Sequence, residues 1–144
     1  MKISAQVVCF ENFLEFYSKR ISPQFCDIDI YLKSGEDMEP TIVARLLSIT
    51  EQELYNIMIS KNIDFITKEN FLKIMLAGSS YICQLYRREV ECNCPNSYTA
   101  EQISYIYSLD QQTIETICNQ MGYGTYISPY LLKDIFSRIQ LMVD

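Results

Sequence analysis

The amino-acid sequence predicts a mainly α single domain: two tandem helix-turn-helix-like units, with an N-terminal helix and a short strand or hairpin ahead of them. Apolar residues recur at helical spacing through most of the chain. The pattern that begins near Thr41 returns at a constant offset of 60, with the same apolar and capping positions. Only 4 Gly and 4 Pro are present, which leaves little sequence for long loops. At 144 residues, 49% apolar and 21% charged, the chain has single-domain size and enough apolar material for a core. The organisation reads as an N-terminal helix and strand over 1–40, unit one over 41–91 and unit two over 99–144.

Phe10, Phe13, Leu14 and Tyr17 fall at i, i+3, i+4 and i+7, which predicts an amphipathic helix from Ala5 to Lys19, stopped by Pro23. Cys26-Asp27-Ile28-Asp29-Ile30-Tyr31-Leu32 places Ile28, Ile30 and Leu32 on one face of a strand, and Lys33 to Asp37 reads as a turn. Pro40 suits the first position of the next helix, where its missing N–H has no partner to lose.

The repeat then begins. Val43, Leu46, Ser48, Ile49, Leu54 and Ile57 align with Ile103, Ile106, Ser108, Leu109, Ile114 and Ile117, and the N-caps Thr50 and Asp110 coincide. One inserted residue shifts the register, so that Phe65-Ile66-Thr67 aligns with Tyr126-Ile127-Ser128. Each unit reads as helix, tight turn, helix, short extended piece and third helix. The third helix of unit one runs from Lys68 to about Glu91. It is apolar almost all round at Phe71, Leu72, Ile74, Met75 and Leu76, and Gly78-Ser79-Ser80 marks a kink or a close approach. Cys92 to Ser97 links the units, and Thr99 with Gln102 forms a capping box for the next helix.

In unit one, Val43-Ala44 with Leu46-Leu47-Ser48-Ile49-Thr50, followed by Leu54-Tyr55-Asn56-Ile57, resembles the excisionase and MerR-type helix-turn-helix modules; Asn62-Ile63-Asp64-Phe65-Ile66 sits where their wing begins. The resemblance implies a DNA-binding ancestor, with the second helix of each unit as the contact surface. The candidate residues for contact with DNA or a protein partner are Arg45, Glu51, Gln52, Lys61, Lys68, Gln111, Gln112 and Asn119. The chain departs from that family in charge. Where the family's recognition helix carries Arg and Lys, Glu51 and Glu53 stand here, Glu53 completing a capping box with Thr50. Gln111, Gln112 and Asn119 are residue types that read adenine edges.

Composition narrows the chemistry. With 12 Lys+Arg against 18 Asp+Glu the formal charge is −6 and no segment is basic, which disfavours general nucleic-acid binding. The chain has no His, hence no imidazole base, triad or metal ligand, and it has no glycine-rich phosphate loop. No enzyme activity and no cofactor are expected. Asn62 to Phe71 is similar to the end of an EF-hand loop with its exiting helix, yet Met58 to Lys61 lacks the carboxylates that site needs. Cys92-x-Cys94 is too closely spaced for a usual zinc pair, and Cys83 and Cys118 would have to complete a four-thiolate site, so no metal is expected. With no apolar run near bilayer length and no signal peptide at Met1 to Gln6, the expectation is a cytoplasmic chain with free thiols and no membrane partner. The 11 Tyr, several of them in unit two, suit a protein interface. The functional expectation is a non-enzymatic regulatory or adaptor protein acting through protein contacts, with a sequence-specific DNA-binding regulator as the alternative.

Overall fold

The computed structural model describes residues 9–35, 37–93 and 95–143, with side chains described within 12–140 of these. They are mainly helical, and the chain divides into two compact units. One comprises residues 22–94. The other joins the N-terminal segment through residue 21 to residues 95–144. The N-terminal 1–40 region is therefore shared between the units rather than forming an element of its own.

In the discontinuous unit, strand β1 (Cys9–Asn12) pairs antiparallel with strand β2 (Gln140–Val143). Helix α1 (Phe13–Phe16) follows, and passes into a π-helical turn over Tyr17–Ile21. This corrects the expected helix over Ala5–Lys19; residues 5–8 lie outside the described ones. The helix starts late because Asn12 caps it. Its Oδ1 accepts the Glu15 N–H at 2.8 Å, and the Glu15 carboxylate accepts the Asn12 N–H at 3.3 Å. The partner strand lies at the far end of the sequence, where local periodicity carries no signal. The unit continues through α7 (Ala100–Tyr107), α8 (Gln111–Met121), a 3-10 turn (Pro129–Leu131) and α9 (Leu132–Ser137).

Its core is aromatic where its two chain segments meet. The Phe13 ring packs edge-on to Phe136 with centroids 4.7 Å apart, and Tyr107 packs on Phe136 at 4.9 Å. Tyr17 joins the same cluster, and the Phe13 N–H donates to the Ile139 carbonyl at 2.7 Å. Edge-to-face geometry adds a quadrupole attraction to the burial of these rings.

In the continuous unit, helix α2 (Ser22–Ser34) occupies the segment expected to stop at Pro23 and to form a strand over 26–32. Both expectations are corrected. Pro23 sits in the first turn of α2, directly after the π-helical turn, where the altered hydrogen-bond register accommodates a residue without an N–H. The alternation Ile28, Ile30, Leu32 was the weaker signal. Ile28 and Tyr31 are buried with Phe25 and Leu32 packed beside them, which is helical spacing, and Ile30 is exposed. Lys33 pairs with Asp29 one turn back at 2.9 Å. The Tyr31 hydroxyl donates to the Asp37 carbonyl and so ties down the turn before α3 (Pro40–Leu47), which starts at Pro40 as expected.

Helices α3 and α4 (Glu51–Ser60) are joined through Ser48, which is left-handed at φ 56°, ψ 41°. In the other unit α7 (Ala100–Tyr107) and α8 (Gln111–Met121) are joined through Ser108 at φ 56°, ψ 47°. Ile49 and Leu109 donate back to Ala44 and Ser104, at 3.0 Å in each case. This is the Schellman pattern, which satisfies carbonyls that the helix end would leave unpaired. Thr50 and Asp110 then cap the following helices by accepting from the backbone N–H three residues on.

The single long helix expected over 68–91 is broken into α5 (Lys68–Ala77) and α6 (Tyr81–Glu91). Gly78 is extended and buried, and a Cβ there would lie 2.5 Å from Cys83 Sγ, so the close approach is made by the next helix itself. Helix α5 is one-sided rather than apolar all round: Phe71, Ile74 and Met75 are buried while Leu72 is exposed.

Leu54 and Ile114 are both fully buried. Replacement of either by Ala should cost about 2–5 kcal/mol through lost burial and residual cavity. Urea denaturation of the two variants checks this, and a loss below about 1 kcal/mol in either would contradict the packing described.

Candidate functional site

The faces of α4 and α8 turned from the core are set by which residues the core takes. In α4, Leu54, Ile57 and Met58 are buried, which leaves Glu51, Gln52, Tyr55, Asn56 and Ile59 exposed. In α8, Ile114, Ile117 and Cys118 are buried, which leaves Gln111, Gln112, Thr116, Asn119 and Gln120 exposed. Glu51, Gln52, Gln111, Gln112 and Asn119 thus lie on the outward faces of their helices. Arg45, Lys61 and Lys68 are exposed as well, but on three places: the last turn of α3, the C-cap of α4 and the start of α5.

The α4 face carries no cation within the helix. Tyr55 is 44% exposed and Ile59, one turn on, 75%. Gln52 donates to Asn56 at 3.1 Å, and Glu51 accepts from the Thr41 hydroxyl at 3.3 Å. Sequence reasoning passed over Tyr55 and Ile59. Their i, i+4 spacing, off the stripe of Leu54, Ile57 and Met58, was the signal that could have found them. Phe65 and Tyr126, aligned in the repeat, are each 73% exposed.

Glu53 has a different role from the expected capping box. Thr50 does accept from the Glu53 N–H, at 3.0 Å. The Glu53 carboxylate, however, turns to Ser79, accepting its N–H and its hydroxyl at 2.8 Å each. Arg87 donates to the Leu76 carbonyl at 2.7 Å, and Gln84 to the Ser79 carbonyl at 2.7 Å. The break between α5 and α6 is thereby held by side chains from α4 and α6, and Glu53 is committed to structure rather than to a partner.

In the discontinuous unit, Gln111, Gln112 and Asn119 come together in an open groove of about 620 Å³. Its walls are the start of α7 at Thr99 to Glu101, the outward face of α8 with Glu115, and the segment from Tyr123 to Ile127. Cys118 and Ile127, both buried, also line it. The Ile127 backbone is fully used by Tyr98, with bonds of 2.7 and 2.8 Å. The lining holds two carboxylates, Glu101 and Glu115, and no cation.

Burial pushes the Cys83 and Cys118 thiols up, with the Glu115 carboxylate adding to the rise at Cys118. Burial also raises Cys92, with Glu89 and Glu91 adding to it. Cys94 lies outside the described residues, and among the described ones no three His, Cys, Asp or Glu converge as metal ligands. No helix among the described residues is long and apolar enough to cross a membrane. The Tyr123 hydroxyl donates to Asp134, and this bond raises the phenol's pKa while fastening the groove's outer segment to α9.

Compared with known proteins, the chain matches no protein-family model, no curated sequence and no solved structure.

Removing the Glu53 carboxylate as Glu53→Ala should destabilise the protein by about 1–3 kcal/mol, since two donors on Ser79 lose a charged acceptor. Chemical denaturation against the parent measures it, and an unchanged midpoint would refute the tie. Asp110 gives a pH signature. The Thr113 backbone N–H, then the Thr113 hydroxyl, hold its carboxyl below the ordinary value, so its contribution is present at neutral pH and is lost as pH falls through the lowered pKa. Asp110→Ala should therefore be less stable than the parent at pH 7, and the gap should close under acid; a gap constant from pH 7 to about pH 2 would contradict this.

Proposed function

We propose that this chain is a non-enzymatic regulatory or adaptor protein, a duplicated helix-turn-helix-like scaffold that works through protein contacts. The observation that carries the reading is the outward face of α4. Tyr55 and Ile59 are exposed one turn apart beside Glu51, in the place where a DNA reader of this plan would present cations to phosphate. An aromatic and an aliphatic side chain are suited to being buried by a partner. The duplication is supported by the equal left-handed serines, equal caps and equal buried positions of the two helix pairs.

DNA binding is the second reading, favoured by one observation: Gln111, Gln112 and Asn119 are exposed together on α8, and such amides can pair with adenine. Against it stand the net charge of −6 and the absence of any Lys or Arg from α8. Each carboxylate near the duplex adds repulsion in place of a released counterion.

Two measurements decide between them. Fluorescence anisotropy with random duplex DNA at about 0.15 M salt should show affinity weaker than about 10⁻⁴ M; micromolar binding with a steep salt slope would favour DNA. Affinity capture should retain a protein partner that the double variant Tyr55→Glu, Ile59→Glu loses while keeping its fold. A partner set untouched by those changes would remove the support that α4 lends.

A further inference from the structure

The groove of the discontinuous unit has a chemistry of its own. It is an open concavity, and its charged lining is anionic: Glu101 at the start of α7 and Glu115 on α8. Glu101 has no hydrogen bond or ion pair among the described residues, and Glu115 accepts only from Gln111, at 3.2 Å. Gln112, Asn119 and Thr125 add side chains that can both donate and accept.

An anion is a poor fit. The N-termini of α7 and α8 lie along the groove, but the N–H groups of Gln102 and Thr113 are already taken by Thr99 and Asp110. An anion there would also face two carboxylates. A metal ion is a poor fit too, because the two carboxylates have no third ligand converging with them among the described residues. An extended cation suits the site. A guanidinium is planar, carries several donors and can meet a carboxylate with two bonds at once. The volume of about 620 Å³ exceeds what one side chain needs and falls within the range of ligand-sized clefts. The surplus matches the backbone on either side of a basic residue, whose amide groups the Gln and Asn side chains can meet.

We infer that this groove binds an arginine- or lysine-bearing peptide segment of a partner protein, with Glu115 and Glu101 holding the cation and the amides of Gln112 and Asn119 engaging the peptide backbone. This rests on the protein-contact reading and names the partner's chemistry: a basic, extended segment.

The test uses the full chain, isotopically labelled for amide NMR, and two capped hexapeptides. One contains two arginines among glycines; the other carries glutamates in their place. The arginine peptide should shift amide signals of residues 99–101, 111–119 and 123–127, and the glutamate peptide should not. Glu115→Gln and Glu101→Gln, both conservative at the surface, should keep the parent spectrum and weaken arginine-peptide binding about tenfold each, the loss expected for one charged hydrogen bond. Shifts spread over acidic residues of both units, or equal affinity in the Gln variants, would mean general charge attraction and would overturn the assignment. No shifts at millimolar peptide would overturn it as well. If the peptide fails while a protein partner is still lost on changing Tyr55 and Ile59, the groove inference falls alone and the protein-contact reading stands.

Discussion

A helix of eight to eleven residues leaves about four N–H groups and four carbonyls without intrahelical partners, a large share of its backbone polar groups, and six helices of the described residues have that length. How those ends are satisfied governs the rest. Thr50, Thr67, Ser80, Thr99 and Asp110 each accept from a first-turn N–H. The ends of α3 and α7 close with left-handed serines, although a side chain disfavours that conformation and glycine is the usual occupant. The end of α5 is closed from outside, by Arg87.

Burial does the remaining work, separately in each unit. In residues 22–94 the core is mostly aliphatic, with Val43, Leu47, Leu54 and Ile74 clustered with the rings of Phe71 and Tyr31, and Gly78 lets α6 come close enough for Cys83 to fill the gap beside it. In the other unit Phe13, Tyr107 and Phe136 interlock, joining an N-terminal segment to a C-terminal one. A cluster of that kind makes α1 depend on residues more than a hundred positions away, a non-local pairing with a large loop-closure entropy.

What these two demands leave over is the surface on which the proposed function rests. Buried positions took the apolar stripe of α4 and α8, caps took the hydroxyls and Asp110, and Glu53 was taken by Ser79. Tyr55 and Ile59 on one unit remain, and on the other a groove with two carboxylates and several amides. Arg45, Lys61 and Lys68 are exposed but distributed over separate elements. On the proposed reading, that surface meets a protein chain, with its mixture of apolar and cationic side chains, rather than the uniform negative charge of a duplex.

The sequence by itself determined the mainly helical character, the α3–α4 and α7–α8 pairs with their turns, and most of the caps. Those features are written in residues within one or two helical turns of each other, so spacing alone reveals them. It also placed Gln111, Gln112 and Asn119 on one helix. Only the tertiary structure decided that Cys9–Asn12 is a strand, that residues 26–32 are helical, and that the helix expected over 68–91 breaks at Gly78. The first needs a partner strand from the chain's other end. The second turned on whether Ile28 shares its core with Tyr31 or with Ile30. The third depends on Glu53 and Arg87 satisfying a backbone that no local signal could satisfy. The groove has the same origin: Glu101, Glu115 and Thr125 become neighbours only because α7, α8 and the segment beyond them pack together, and no spacing in the sequence states that they do.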